Sequence, residues 1–115
     1  MKVEQLVPAA EGRAARFSLK FRKLIPEETG CYVLATLRHD IIYIGQAQNL
    51  RRRFVEHRET KEKRDPTPVG RAFWFYFLTC PGNQLDRIER TWMNEHVELH
   101  GVRPLLNKMD SPVRS

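Results

Sequence analysis

The sequence predicts an α+β domain whose elements run β-β-α-β-α, and three observations carry that expectation. Two runs rich in β-branched and aromatic residues, "GCYVLATL" from Gly30 and "DIIYIG" from Asp40, are joined by a link short enough for a hairpin. Two later segments repeat their apolar residues at helical spacing. Between those segments lies "AFWFYFLTC", apolar without alternation, as suits a central strand covered on both faces. At 115 residues the chain fits one domain, able to bury roughly two thirds of its unfolded surface in a single core.

Residues 1–25 are expected to form a basic N-terminal extension, 26–109 the domain, and 110–115 a polar tail. Within the extension, Phe17, Leu19 and Phe21 alternate like a strand, while Phe17, Phe21, Leu24 and Ile25 equally fit a helix. Residues 12–25 contain Arg13, Arg16, Lys20, Arg22 and Lys23 without an acid, which suits a solvated flank, an extra edge strand, or an arm that grips a phosphate backbone. After the predicted hairpin, Asn49 is placed to cap a helix that carries Leu50, Phe54 and His57 towards Lys63. The stretch "DPTPVG" breaks it, and Pro81-Gly82 ends the following strand. Leu85, Ile88, Trp92, His96 and Leu99 then form one stripe of a long helix, with Gly101 where a C-cap glycine belongs.

Twenty Lys and Arg against fourteen Asp and Glu leave a net charge of +6, which favours a polyanionic partner without identifying one. The longest apolar run, Ala72 to Leu78, is far too short to span a bilayer, and no signal-peptide-like segment opens the chain. A soluble, cytoplasmic protein with no membrane contact is expected. Cys31 and Cys80 fall in strand-like segments and read as reduced thiols rather than as a disulfide or metal pair.

Successive helix residues turn by about 100°, so Arg53 and His57 share the inward side with Leu50 and Phe54, whereas Arg51, Arg52 and Arg58 turn towards solvent. A snorkelling arginine and a hydrogen-bonded core histidine explain Arg53 and His57 equally well from spacing alone. Glu89 stands about 60° from the centre of its helix's apolar stripe, where a carboxylate needs a partner, either an arginine or a hard cation.

Taken together, Gly30-Cys31-Tyr32, Tyr43-Ile44-Gly45, Leu50-x-x-Arg53-x-x-x-His57, Glu89 within a helix and Asn107 after a proline resemble the GIY-YIG nuclease superfamily. The resemblance runs from about Ile25 to Asn107. It implies a small three-stranded, mainly antiparallel sheet with helices packed around it. It also implies roles. Tyr32 would activate the attacking water and Tyr43 position it or the phosphate. Arg53 would stabilise phosphate charge, His57 assist the first tyrosine and Glu89 bind a metal, while Asn107 would brace the site. Phosphate contacts would come from Gly45, Gln46, Arg51, Arg52 and Arg58.

The chemistry asks for such parts: an activated water, countercharge for the phosphorane, and stabilisation of the leaving oxygen. A phenol with a reference pKa of about 10 is a poor base near neutrality, so Tyr32 needs positive charge to lower it or His57 to take its proton. With Glu89 the sole carboxylate of the set, one Mg²⁺ (or Mn²⁺) is expected rather than a two-metal cluster. The implied partner is DNA, whether single-stranded, branched or duplex, with RNA also open, acted on by a monomer or homodimer. The rival is a module that grips nucleic acid without cutting it. Two departures stand out: Cys31 replaces the usual aliphatic residue of the first motif, and neutral Gln46 occupies a position where some members carry lysine.

Overall fold

The computed structural model describes residues 1–10 and 14–107, so Arg13 of the basic segment and the expected tail from Asp110 lie outside the described residues. Four strands form one antiparallel sheet in the order β1-β4-β2-β3: β1 is Ala15–Arg16, β2 Gly30–Ala35, β3 Ile41–Ala47 and β4 Trp74–Thr79. The sheet has one strand more than expected. The alternation of Phe17, Leu19 and Phe21 does not form a strand, because Leu19–Leu24 is a 3-10 helix; the strand lies just before it, where Ala15 and Arg16 pair with Phe75 and Trp74.

The hairpin joins β2 to β3 as anticipated, with His39 in the left-handed region (φ 71°) at its turn. It is β2, not β4, that is covered throughout: all six of its residues are buried, and both neighbours pair along its length. The residues of β4 alternate between the faces: Phe75 and Phe77 are buried on one side, while Trp74, Tyr76 and Leu78, on the other, remain half-buried.

Helix α1, Leu50–Arg58, begins where Asn49 Oδ1 accepts the Arg52 N–H at 3.0 Å. It stops short of Lys63. The Thr60 hydroxyl donates to the Glu56 carbonyl at 2.8 Å and the Thr60 backbone is extended, after which a single turn, α2, occupies Lys61–Arg64. Helix α3, Leu85–His100, ends at Gly101 with φ 77°, a conformation that favours glycine.

Each face of the sheet has its own core. On one, Cys31, Val33 and Ile44 meet Leu85, Ile88 and Trp92 of α3 together with Met1, Val3 and Leu6. On the other, Tyr32, Leu34, Phe75 and Phe77 meet Leu50 and Phe54 of α1 together with Phe17 and Ile25. The first 25 residues therefore supply core to both faces. The Ile41 N–H donates to the Met1 carbonyl at 2.8 Å and the Trp92 indole to the Pro8 carbonyl at 2.8 Å, tying the N-terminal stretch to β3 and α3. Their cations lie on the same body: Arg16 stacks on Phe73 and Lys20 on Phe21. No helix among the described residues is long and apolar enough to cross a membrane.

Candidate active site

Antiparallel register decides which side chains meet. Tyr32 lies opposite Gly45 and Leu34 opposite Tyr43, so both tyrosines project to the α1 face. Gly45 has a specific reason to be glycine. A Cβ there would stand 2.6 Å from the Tyr32 Oη and 2.7 Å from its Cζ, because the Tyr32 ring lies across it. This is a packing requirement in the floor beneath Tyr32, separate from the phosphate contact expected of Gly45. Gly30 is similarly confined, by the Leu78 carbonyl at 2.5 Å and Leu50 Cδ1 at 2.8 Å.

Tyr32 is fully buried and stacks on Phe75, with ring centroids 5.0 Å apart. Its hydroxyl meets His57 Nε2 at 2.5 Å and hydrogen-bonds with Tyr43 and Arg53. Helical spacing brings Arg53 and His57 to it one turn apart, and the Arg53 side chain also pairs with Glu56 at 3.1 Å. Tyr43, Arg53 and His57, from β3 and α1, thus gather around the phenolic oxygen of Tyr32.

Burial dominates the electrostatics. It raises the Tyr32 phenol well above its ordinary value, with the neighbouring Tyr43 adding to the rise, and Arg53 offsets this only in part. Positive charge from Arg53 thus acts on the Tyr32 phenol in the expected direction but does not offset its burial. Burial, reinforced by the positive charges of Lys63 and Arg53, lowers His57 from 6.5 to about 3, so its imidazole is neutral near pH 7 and a weak base in the absence of a nearby anion.

That depression has a consequence for stability. The unfolded chain binds a proton at His57 below about pH 6.5 and the folded one does not until about pH 3. The stabilisation is complete above the unfolded value and is lost as pH falls through this window, by on the order of 4 kcal/mol at its lower end. Denaturant unfolding between pH 7 and 4 is expected to show this decline, and His57→Leu to flatten it; equal slopes in the two proteins would refute the assignment.

Glu89 comes from α3, on the opposite face of the sheet, and the site straddles the outer strand β3. Gln46, opposite Cys31 in the register, projects towards α3, where its Nε2 donates to Glu89 Oε1 at 2.6 Å and to Asp86 Oδ1 at 2.8 Å. Across the strand, Tyr43 is raised chiefly by burial, which Tyr32 and Arg53 counter, and the Glu89 carboxylate adds to the rise. Glu89 thus stands across β3 from the tyrosines, bound to Gln46, and its charge is only a minor influence on Tyr43. Asn107 grips β3 between these features: its Oδ1 accepts the Ile44 N–H at 2.9 Å and its Nδ2 donates to the Ile44 carbonyl at 2.9 Å.

The flanking cations are placed differently from one another. Arg51 is bound to the Ile25 carbonyl and to Glu27, at 2.8 and 2.6 Å, so it anchors the start of α1. Arg52 is exposed beside Glu56, and Arg58 lays its guanidinium over Phe17. Spacing gave no hint of Lys63, whose ammonium covers the Tyr43 ring at 4.6 Å, because it comes from a separate short helix. Asp86 was also missed, although its position one turn before Glu89 was available as a signal.

Among the described residues, Asp86 and Glu89 bring carboxylate oxygens together on the α3 side of β3, both reached by the Gln46 amide. Among the described residues no group of three or more His, Cys, Asp and Glu side chains is gathered. Such a sparse, hard-oxygen set fits a Mg²⁺-type ion that keeps most of its waters, and it does not fit a closed protein cage. A family model described as the GIY-YIG catalytic domain matches residues 28–98, well over half of the chain and inclusive of every site residue except Asn107. No curated protein matches the chain.

Proposed function

We infer the activity from one premise: the chain belongs to the GIY-YIG catalytic domain family, whose function is of nuclease type and whose substrates are nucleic acids. We propose that the protein is a metal-dependent endonuclease that hydrolyses phosphodiester bonds in DNA. The observation that carries the proposal is the meeting of the Tyr32 hydroxyl with His57 Nε2, with Tyr43 and Arg53 around the same oxygen.

In this reading a phosphate settles against Arg53, whose guanidinium neutralises charge that grows as the phosphorane forms. Tyr32 takes a proton from the attacking water while its own hydroxyl proton passes to His57 Nε2, which requires the His57 tautomer with its proton on Nδ1. The approach of a phosphate anion supports this step, because it counters the positive charge of Lys63 and Arg53 and so raises the basicity of His57. Tyr43 orients the water or the phosphate. Glu89 would hold Mg²⁺ or Mn²⁺, which when bound supplies countercharge to the phosphate and stabilises the departing oxygen. Asn107 keeps β3, and with it Tyr43 and Gly45, in place.

The test is to incubate purified protein with labelled single-stranded, branched and duplex DNA and with RNA, with and without Mg²⁺, beside Glu89→Ala. The expected result is Mg²⁺-stimulated cleavage of DNA by the wild type that the variant lacks. Binding without Mg²⁺-stimulated cleavage on every substrate would overturn the proposal in favour of a non-cleaving nucleic-acid module.

A further inference from the structure

Gln46 directs one amide nitrogen at two carboxylates, 2.6 Å from Glu89 and 2.8 Å from Asp86. An amide nitrogen has two hydrogens, and each finds a carboxylate oxygen, so its donor capacity is filled. The backbone fixes where that amide starts. Gln46 sits in β3 opposite Cys31, on the face that α3 covers, and α3 is anchored there by Leu85, Ile88 and Trp92. Asp86 and Glu89 are one helical turn apart on the same flank, so a single side chain reaching from the strand spans both.

The chemistry of an amide distinguishes this contact from an ordinary tie between strand and helix. An ammonium at this position would hold the two acids by cancelling their charge. The amide orients Glu89 through its Oε1 and leaves both negative charges, and the other Glu89 oxygen, available to a cation.

We propose that Gln46 is a positioning residue for Glu89: its amide, steadied by Asp86, aims the Glu89 carboxylate at the cation without competing with it. This deepens the proposed activity and rests on the reading of Glu89 as the residue that holds the cation. Gln46 is thereby assigned to the support of the metal site and not to phosphate contact.

Two variants separate orientation from charge. Gln46→Leu removes the donor, and Gln46→Lys keeps a contact to the acids while neutralising them. Mn²⁺ affinity of the protein without substrate, read from water-proton relaxation enhancement, is expected to fall about tenfold in the first and at least as far in the second, within the range for residues that orient a ligand. The Mg²⁺ concentration giving half-maximal cleavage is expected to rise in parallel, with the rate at saturating Mg²⁺ within about threefold of wild type. A tie of purely structural value would lower the unfolding free energy and leave both cation readouts unmoved. Affinity and half-saturation within twofold of wild type in Gln46→Leu would therefore overturn the inference, whatever the Lys variant does. Should Gln46→Leu fail to fold, Gln46→Met, which also lacks the donor, takes its place. A wild type that cleaves and needs Glu89, with indifferent Gln46 variants, sinks only this inference. A wild type that binds Mn²⁺ through Glu89 and Gln46 yet cuts nothing sinks only the endonuclease proposal, and one that does not bind Mn²⁺ sinks this inference.

Discussion

Tyr32→Phe is expected to lower the single-turnover rate of phosphodiester cleavage by about 10³, the middle of the range for a positioned proton-transfer group. The substitution deletes one atom. The ring keeps its stack on Phe75 at 5.0 Å and its place over Gly45, so fold and nucleic-acid affinity should hold. What disappears is the oxygen that His57, Tyr43 and Arg53 all address. Their lost partner leaves a small stability cost, about 1–3 kcal/mol for unmade buried hydrogen bonds. Rates measured at saturating Mg²⁺ and substrate check the expectation, and a loss of less than about tenfold would remove Tyr32 from the proton path.

Gly45→Ala is expected to damage the same site through packing. The new methyl would have to stand 2.6 Å from the Tyr32 hydroxyl oxygen, and Tyr32 cannot yield, since it is wedged between β3, Phe75 and His57. Either β3 shifts outward against Asn107 or the phenol leaves its contacts; overpacking of this kind costs about 3 kcal/mol. Cleavage should fall along with stability because the displaced group is Tyr32 itself. Gly82→Ala serves as the comparison, since a Cβ there meets nothing within 4 Å, and surface changes of that sort stay within about 0.5 kcal/mol. Unfolding by denaturant measures both, and equal stability of the two variants would show that Gly45 is not a packing requirement.

What could be read from the chain followed the range of the forces involved. The Asn49 cap, the α3 stripe and the Gly101 terminus are local, set by hydrogen bonds and periodicities within a few residues, and they were legible. So was the inward pairing of Arg53 with His57, which needs only helical geometry. The family pattern supplied Tyr32 and Tyr43, whose approach depends on the β2–β3 register, together with Glu89, which lies across β3 from them, and Asn107, which binds the Ile44 backbone. Strand β1 was obscured because two residues of pairing carry almost no periodic signal. The end of α1 was missed because one hydroxyl, that of Thr60, decided it.

The balance of electrostatic effects was least accessible, since burial is a property of the whole fold. Positive charge near Tyr32 was foreseen, yet its complete burial outweighs Arg53. Gln46 likewise looked like a neutral replacement for a cation near phosphate, until the register turned it towards Asp86 and Glu89.

The central claim is that Tyr32 and His57 handle one proton as a unit. A double-mutant cycle of single-turnover cleavage rates with Tyr32→Phe, His57→Leu and the pair tests it most directly. The predicted result is that the double variant is no slower than the worse single variant, because removing either partner already breaks the relay. Losses that multiply in the double variant would contradict it, since the two side chains would then be acting independently.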